Sequence, residues 1–298
     1  MGLVYCPNGR SNWSQHSALT PTPIQLEDDK IRVYAGMRDN TGASRIGYVD
    51  VDADKPSRIV AVSDSPVLDV GLPGCFDDNG VILGDIAQLG RKLLMYYVGF
   101  QLVEKVKFLA FSGLAVSVDG GERFQRCSNT PILDRSDDGL YIRAIHSVLR
   151  ENGIWRAWCG VGSGWETIGG KPYPRYNIRL YESRDGIHFP DRGTVCIDNT
   201  ENEYRIGRPR VVKDGDTYCM FYTKGTLTGD YIPGYAESKD GISWIRKDSE
   251  AGISLSKEGW DSKHLCYPAT IRVRERTIMF YNGNDMGRTG FGYAELEI

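Results

Sequence analysis

The residues with chemistry to offer come in five polar clusters, each just ahead of or inside a run that reads as a β-strand. They are Gln15-His16-Ser17, Asp77-Asp78-Asn79, Arg143-Ala144-Ile145-His146, Glu203-Tyr204-Arg205-Ile206-Gly207-Arg208-Pro209-Arg210, and Asp261-Ser262-Lys263-His264 with Tyr267. A further pair, Arg38-Asp39, ends an apolar strand-like run. Carboxylates can move protons or accept hydrogen bonds from hydroxyl groups, and guanidinium groups grip oxyanions in a bidentate geometry. Polar groups at positions that packing alone would fill with Val or Ile mark a site if the fold brings them together.

Each cluster also has a plainer reading. Asp77-Asp78-Asn79-Gly80 has the composition of a turn, whose side chains satisfy their own backbone. Asp39 is either a sugar-hydroxyl acceptor or half of an ion pair with Arg45. His146 lies among Ala144, Ile145 and Val148, where a satisfied core imidazole is the competing reading. His16 stands beside Trp13 and Gln15 and could equally pack the rim of a funnel. Glu203 is the best remaining carboxylate for a second acid–base role, although it follows the polar stretch Asn199 to Asn202. Trp165 and Trp260 could stack on sugar faces. No His/Cys/Asp group has ligand spacing, so no metal is expected, and no cofactor.

The elements that must position these clusters are announced by one recurring phrase. Gly234-Tyr235-Ala236-Glu237-Ser238-Lys239-Asp240-Gly241 is echoed at Gly113 to Gly121 and Arg179 to Gly186, and its first half at Gly47-Tyr48-Val49-Asp50 and Gly292-Tyr293-Ala294-Glu295. Each full copy reads as a strand followed by an Asp-Gly turn. A recurrence of about 55 to 66 residues marks a radial repeat, because solenoid periods are shorter and stricter. Between the copies lie apolar aromatic strands such as Leu93-Leu94-Met95-Tyr96-Tyr97-Val98, which must be covered on both faces. The expected fold is therefore all-β: one domain over 1–298, a five-bladed β-propeller of four-stranded antiparallel blades. The last blade lacks a strand, which Gly2-Leu3-Val4-Tyr5-Cys6 supplies from the N-terminus, closing the ring. A Gly-rich insertion is expected from Gly160 to Pro174, and very little helix anywhere. In such a ring the inner strands converge, so the five clusters share one axial funnel.

With the Ser-x-Asp-Gly phrase at Ser117, Ser183 and Ser238, the aromatic second strands, and Phe76-Asp77-Asp78 opening the second unit, the chain resembles the five-bladed propeller glycosidases and phosphorylases. These are glycoside hydrolase families 43, 32 and 130, and the resemblance covers nearly the whole chain. It implies two-carboxylate chemistry for the hydrolases of the group. In families 32 and 43 the first inner strand carries a catalytic Asp ahead of a Pro; here His16-Ser17-Ala18-Leu19-Thr20-Pro21 has no acid. Family 130 is the closer analogy, with an acid early in the second blade and phosphate held by Arg and His. By position, Asp78 or Asp77 would be the general acid, with Glu203 as a further catalytic carboxylate. Arg143, His146, Arg208 and Arg210 would form an anion pocket, and His16, Arg38, Asp39, Asp261 and Tyr267 would complete the sugar site. The expected activity is cleavage or transfer of a glycosidic bond in a carbohydrate or sugar-containing small molecule, with water or phosphate as acceptor. The alternative, suggested by the missing first-blade acid, is a non-catalytic glycan-binding or scaffold propeller associated with surface-polysaccharide synthesis.

Composition removes other classes. A formal net charge of -3 gives no reason to expect nucleic acid as a partner. No apolar run approaches the ~18 residues that span a bilayer, so no membrane partner is expected. The segment Met1 to Arg10 lacks the basic and apolar regions of a signal peptide, which places the protein in the cytoplasm if Met1 is the native start. Seven scattered cysteines without a CxxC pair read as reduced structural thiols.

Overall fold

The computed structural model describes residues 2–296; residues 297 and 298, included in the expected last strand, lie outside them. Among the described residues, twenty strands fall into antiparallel runs of four. The first run is β2 (His16–Glu27), β3 (Lys30–Arg38), β4 (Ser44–Asp52) and β5 (Ile59–Val62). The second is β6 (Val81–Leu89), β7 (Lys92–Gln101), β8 (Leu109–Ser117) and β9 (Gln125–Arg126), and the third β10 (Ile142–Glu151), β11 (Ile154–Ile168), β12 (Lys171–Ser183) and β13 (Thr194–Ile197). Next come β14 (Glu203–Asp214), β15 (Thr217–Thr226), β16 (Tyr231–Ser238) and β17 (Ile245–Arg246). The last run is β18 (Cys266–Val273), β19 (Arg276–Asn282) and β20 (Phe291–Glu295), with β1 (Gly2–Tyr5) antiparallel on β20. Short parallel contacts, Arg143 with Phe111 and Tyr176 with Arg205, join the middle three runs into one twelve-stranded sheet.

The second strand of each run is the most apolar, and it is buried on both sides: Tyr34, Tyr96, Tyr97, Trp158, Tyr222, Phe280 and Tyr281 are all essentially inaccessible. Full burial of such a side chain is worth roughly 1.5–3 kcal/mol, so these rings dominate the packing energy. Each apolar cluster is shared by neighbouring runs. Tyr34 and Ile46 pack with Val81, Met95 and Tyr97, and Tyr96 and Leu114 with Ile145, Trp155 and Tyr181. Val33 and Val49 pack with Val273, Ile278 and Phe280, which brings the first run against the last.

The recurring phrase fastens run to run. In each full copy the Ser hydroxyl accepts the N–H of the turn glycine, at 2.9 Å for Gly121, 3.0 Å for Gly186 and 2.8 Å for Gly241. The carbonyl of that glycine then receives an aromatic from the second strand of the preceding run: Tyr34 Oη at 2.9 Å, Tyr96 Oη at 3.0 Å and Trp158 Nε1 at 3.0 Å. The glycines adopt φ between +73° and +86°, and a Cβ on Gly186 would stand 2.7 Å from the Tyr96 hydroxyl. Only glycine satisfies both the left-handed backbone and the close approach.

Two expectations are corrected. Phe76 to Gly80 forms a turn, and the first strand of the second run starts at Val81. Gly160 to Pro174 is no loop: β11 and β12 continue through it as a long hairpin, with Gly164 paired to Arg175 and Ile168 to Lys171. Trp165 on this hairpin packs edge-on against Phe108, ring centroids 5.4 Å apart, so the extension is held down by an aromatic contact. No helix of the described residues is long and apolar enough to cross a membrane.

Candidate functional site

The first strand of every run breaks register within its length, β2 and β14 more than once, and one break in each displaces residues toward the same center. Those breaks fall between Leu19 and Thr22, Leu83 and Asp85, Ile145 and Ser147, Gly207 and Arg210, and Cys266 and Ala269. A bulge thrusts its extra residue out of the ladder and re-aims the side chain. The residues so displaced are Thr20-Pro21, Gly84, His146, Arg208-Pro209 and Tyr267-Pro268. Thr20, Arg208 and Tyr267 take φ of 54°, 56° and 58°, unusual for residues with a Cβ and a form of strain that tends to accompany function.

Arg208 shows where the bulges lead. From β14 its guanidinium donates to the Leu83 carbonyl on β6, to His146 Nδ1 on β10 at 2.9 Å, and to Thr22 Oγ1 on β2 at 3.3 Å. One side chain therefore ties together the first strands of four runs. The arginine is buried and has no carboxylate partner among the described residues; burial pulls its pKa down to about 10, with partial compensation from Asp85. Because Arg208 donates to Nδ1, the neutral His146 ring carries its proton on Nε2. Burial, and secondarily the Arg208 charge, hold the His146 pKa well below its ordinary value.

From β18, Tyr267 supplies the fifth wall. Its hydroxyl accepts a hydrogen bond from Tyr231 Oη at 3.3 Å, and its N–H donates to Thr223 Oγ1 at 2.8 Å. The phenol lies close enough to influence Arg38, Arg205 and Arg208. Arg205 is 9% exposed and lies over the rings of Tyr231 at 4.1 Å and Tyr204 at 4.9 Å, and no acid pairs with it among the described residues. Arg38 faces His16 across the β2–β3 ladder, and burial lowers the pKa of both. The center is thus made of guanidinium, imidazole and phenol groups.

The candidate carboxylates are engaged elsewhere. Asp77 is 1% exposed and bound at 2.8 Å by Arg126 Nε of β9, the outermost strand of its run. Asp78 accepts the Gly74 N–H at 2.8 Å within the turn. Glu203 takes both arms of Arg246, at 2.7 and 2.9 Å, again from an outermost strand; burial would raise its pKa, but the Arg246 bonds outweigh this and lower it. Asp261 accepts the Tyr281 hydroxyl at 2.9 Å, and Asp39 pairs with Arg45 at 2.7 Å. Arg143 clamps three loop carbonyls, those of Asp134, Pro190 and Asp191, and Arg210 pairs with the buried Asp85. Of the sequence candidates, the structure gathers His16, Arg38, His146, Arg208 and Tyr267, and leaves Asp39, Asp77, Asp78, Arg143, Glu203, Arg210 and Asp261 bonded outside that group.

Sequence reasoning named Tyr204 and Arg205 within the fourth cluster but gave them no role, and did not name Tyr231. A usable signal existed: Thr20-Pro21, Arg208-Pro209 and Tyr267-Pro268 each place a proline inside a strand, which implies a bulge at that point. The state of His146 can be checked directly. Folded, it stays neutral; unfolded, it binds a proton below about pH 6.5, so its contribution to stability is lost as pH falls through that value. Urea unfolding of wild type should lose up to about 1.4 kcal/mol per pH unit more than His146→Gln between pH 6.5 and roughly 5.5. Equal slopes would mean that His146 already titrates normally in the folded protein.

No family model matches the chain. Among solved structures, a glycoside hydrolase superposes with a TM-score of 0.75 at 17% identity, covering 100% of this chain and 91% of the other. A thermostable family-43 glycoside hydrolase gives 0.69 at 14% identity over 97% and 92% of the two chains. At such identities the likeness establishes the fold, an all-β architecture of the propeller-glycosidase kind. In sequence, the uncharacterized protein Rv1502 of Mycobacterium tuberculosis is 34% identical over 299 aligned positions, spanning 100% of this chain and 98% of that protein. Conserved identity at that level over both full lengths makes this chain a member of the Rv1502 family.

Proposed function

We propose that the chain is a carbohydrate-binding protein built on the propeller-glycosidase fold, with its ligand held at the meeting point of the first strands and without hydrolysis by paired carboxylates. In this reading each run of four strands is a blade, five blades form one domain, and β1 closes the ring by completing the last of them. One observation carries the functional part: Arg208, His146, Thr22 and Tyr267 arrive from four blades on bulged first strands, and no carboxylate is hydrogen-bonded among them. Glycosidic hydrolysis needs two carboxyl groups about 5–10 Å apart across the scissile bond. The acids that would serve, Asp77, Asp78 and Glu203, are tied to Arg126, Gly74 and Arg246. Arginine, neutral histidine and tyrosine still suit a sugar, since they donate to hydroxyl and ring oxygens and offer ring faces for stacking.

A role in glycan recognition, as in the assembly of a surface polysaccharide, fits such a site better than degradation. The reading is tested with a panel of monosaccharides and their nitrophenyl glycosides, by calorimetric titration and by release of nitrophenol. Saturable binding with no turnover above the buffer rate is the expected result. Turnover that disappears in Asp78→Asn would restore the hydrolytic assignment, and the absence of binding to every sugar would end the carbohydrate reading.

A further inference from the structure

A buried guanidinium without an acid is an unusual thing for a fold to maintain, because the charge gives up its hydration and receives no opposite charge in return. One such group, Arg205, lies against Tyr231, whose hydroxyl bonds to Tyr267. Arg205 is more than nine-tenths buried, its Nε has no partner, and its neighbours are the Tyr231, Tyr204 and Tyr173 rings at 4.1, 4.9 and 5.9 Å. Those π faces offset part of the desolvation but supply no acceptor for the guanidinium N–H groups. Arg38 also has an unpartnered Nε. Arg208, the third arginine near Tyr267, is satisfied only by a carbonyl, an imidazole and a hydroxyl. The buried Arg32 and Arg156, by contrast, take Asp50 at 2.7 Å and Glu182 at 3.1 Å, and the buried Arg143 fills its terminal N–H groups with loop carbonyls. Arg205 has neither kind of partner among the described residues.

We propose that Arg205, with Arg38 as a second guanidinium, binds an oxyanion carried by the ligand, so that the protein selects acidic carbohydrates, those bearing a carboxylate or a phosphoryl group, over neutral ones. This rests on the carbohydrate reading of the same site and names the class of sugar. Arginine holds planar carboxylate and tetrahedral phosphate alike through paired N–H groups. The Tyr231 and Tyr267 hydroxyls stand 3.3 Å apart beside it and can add donors. The cage of rings fixes the guanidinium in advance, so little ordering is required on binding.

The test compares acidic sugars with their neutral parents: glucuronate, galacturonate, glucose 1-phosphate and mannose 1-phosphate against glucose, galactose and mannose, titrated calorimetrically into wild type, Arg205→Met and Arg38→Met. Inorganic phosphate is measured separately by thermal shift against chloride at matched ionic strength. At least one acidic sugar should bind about tenfold or more tighter than its parent, with that preference lost in Arg205→Met and reduced in Arg38→Met. Uronates and sugar phosphates, as separate arms, tell a carboxylate ligand from a phosphoryl one. Equal binding of acidic and neutral sugars, or a preference unchanged in Arg205→Met, overturns the inference while the carbohydrate reading stands. Phosphate that stabilises wild type but not Arg205→Met, with no sugar bound, keeps the oxyanion site and removes the carbohydrate. If neither phosphate nor any sugar binds, both fall. Arg205→Lys guards against misfolding: it keeps the charge in the ring cage and should recover part of the preference that methionine abolishes.

Discussion

Replacing Arg208 by methionine should weaken ligand binding at the central site by about thirtyfold or more while moving the melting temperature by only a few degrees. The binding term comes from truncating a buried, hydrogen-bonded charge, which costs about 2–5 kcal/mol when its partner is left behind. At 1.4 kcal/mol per tenfold, that is roughly thirtyfold to several thousandfold. The stability terms oppose one another. Methionine forfeits the bonds to Leu83, His146 and Thr22, each about 1–1.5 kcal/mol. It also removes a charge that the folded state disfavours, as the fall of its pKa to about 10 records; at about 1.4 kcal/mol per pKa unit the relief is of order 3 kcal/mol. Two effects of similar size and opposite sign leave a small remainder. Titration with the tightest ligand of the sugar panel, beside a thermal melt, separates the outcomes. A fall of ten degrees with unchanged affinity would make Arg208 a structural bolt through the first strands and nothing more.

The scaffold was legible in the sequence because its constraints are local. An aromatic second strand buried on both faces reads as a continuous apolar run, and Ser-x-Asp-Gly reads as a turn whatever surrounds it. Thus Leu93-Leu94-Met95-Tyr96-Tyr97-Val98 lies wholly within β7, and Ser117, Ser183 and Ser238 each end a third strand, β8, β12 and β16. The site was half legible. His146, Arg208 and Tyr267 stood out as polar residues in apolar strands, but Arg205 and Tyr231 did not, because whether a strand residue faces a core or a cavity depends on where the bulge falls. The acids are ambiguous in sequence for a different reason. Asp77, Asp138 and Asp261 each precede the first strand of a run by a few residues, and Asp138 and Asp261 accept hydrogen bonds from Tyr181 and Tyr281 at 3.1 and 2.9 Å. A carboxylate at that offset belongs to the repeat itself, and only contacts across the sheet reveal it.

The largest loss of stability should follow from Asp85→Ala, a residue that sequence reading did not single out. Its carboxylate is 2% exposed and accepts Ile86 N–H at 2.8 Å within β6, Val148 N–H at 2.8 Å from β10, and the Arg210 guanidinium from β14. One acid therefore anchors three first strands, and alanine leaves both a buried N–H and the Arg210 charge without a partner. Breaking a buried pair from one side costs about 3–5 kcal/mol. For a chain of 298 residues this corresponds to a drop in melting temperature of roughly 6–10 °C. Asp85→Asn keeps an acceptor and should fall between. Asp77→Ala, which strands Arg126 of the outermost strand β9, is the informative comparison: a melt lowered by several degrees with the ligand affinity of the folded fraction unchanged. An Asp77 variant that melts like wild type but loses ligand or turnover would move that acid back into the chemistry. In that case the bulged arginines and tyrosines would position a substrate for an acid delivered from the turn before β6, and the division between scaffold carboxylates and a carboxylate-free center would not hold.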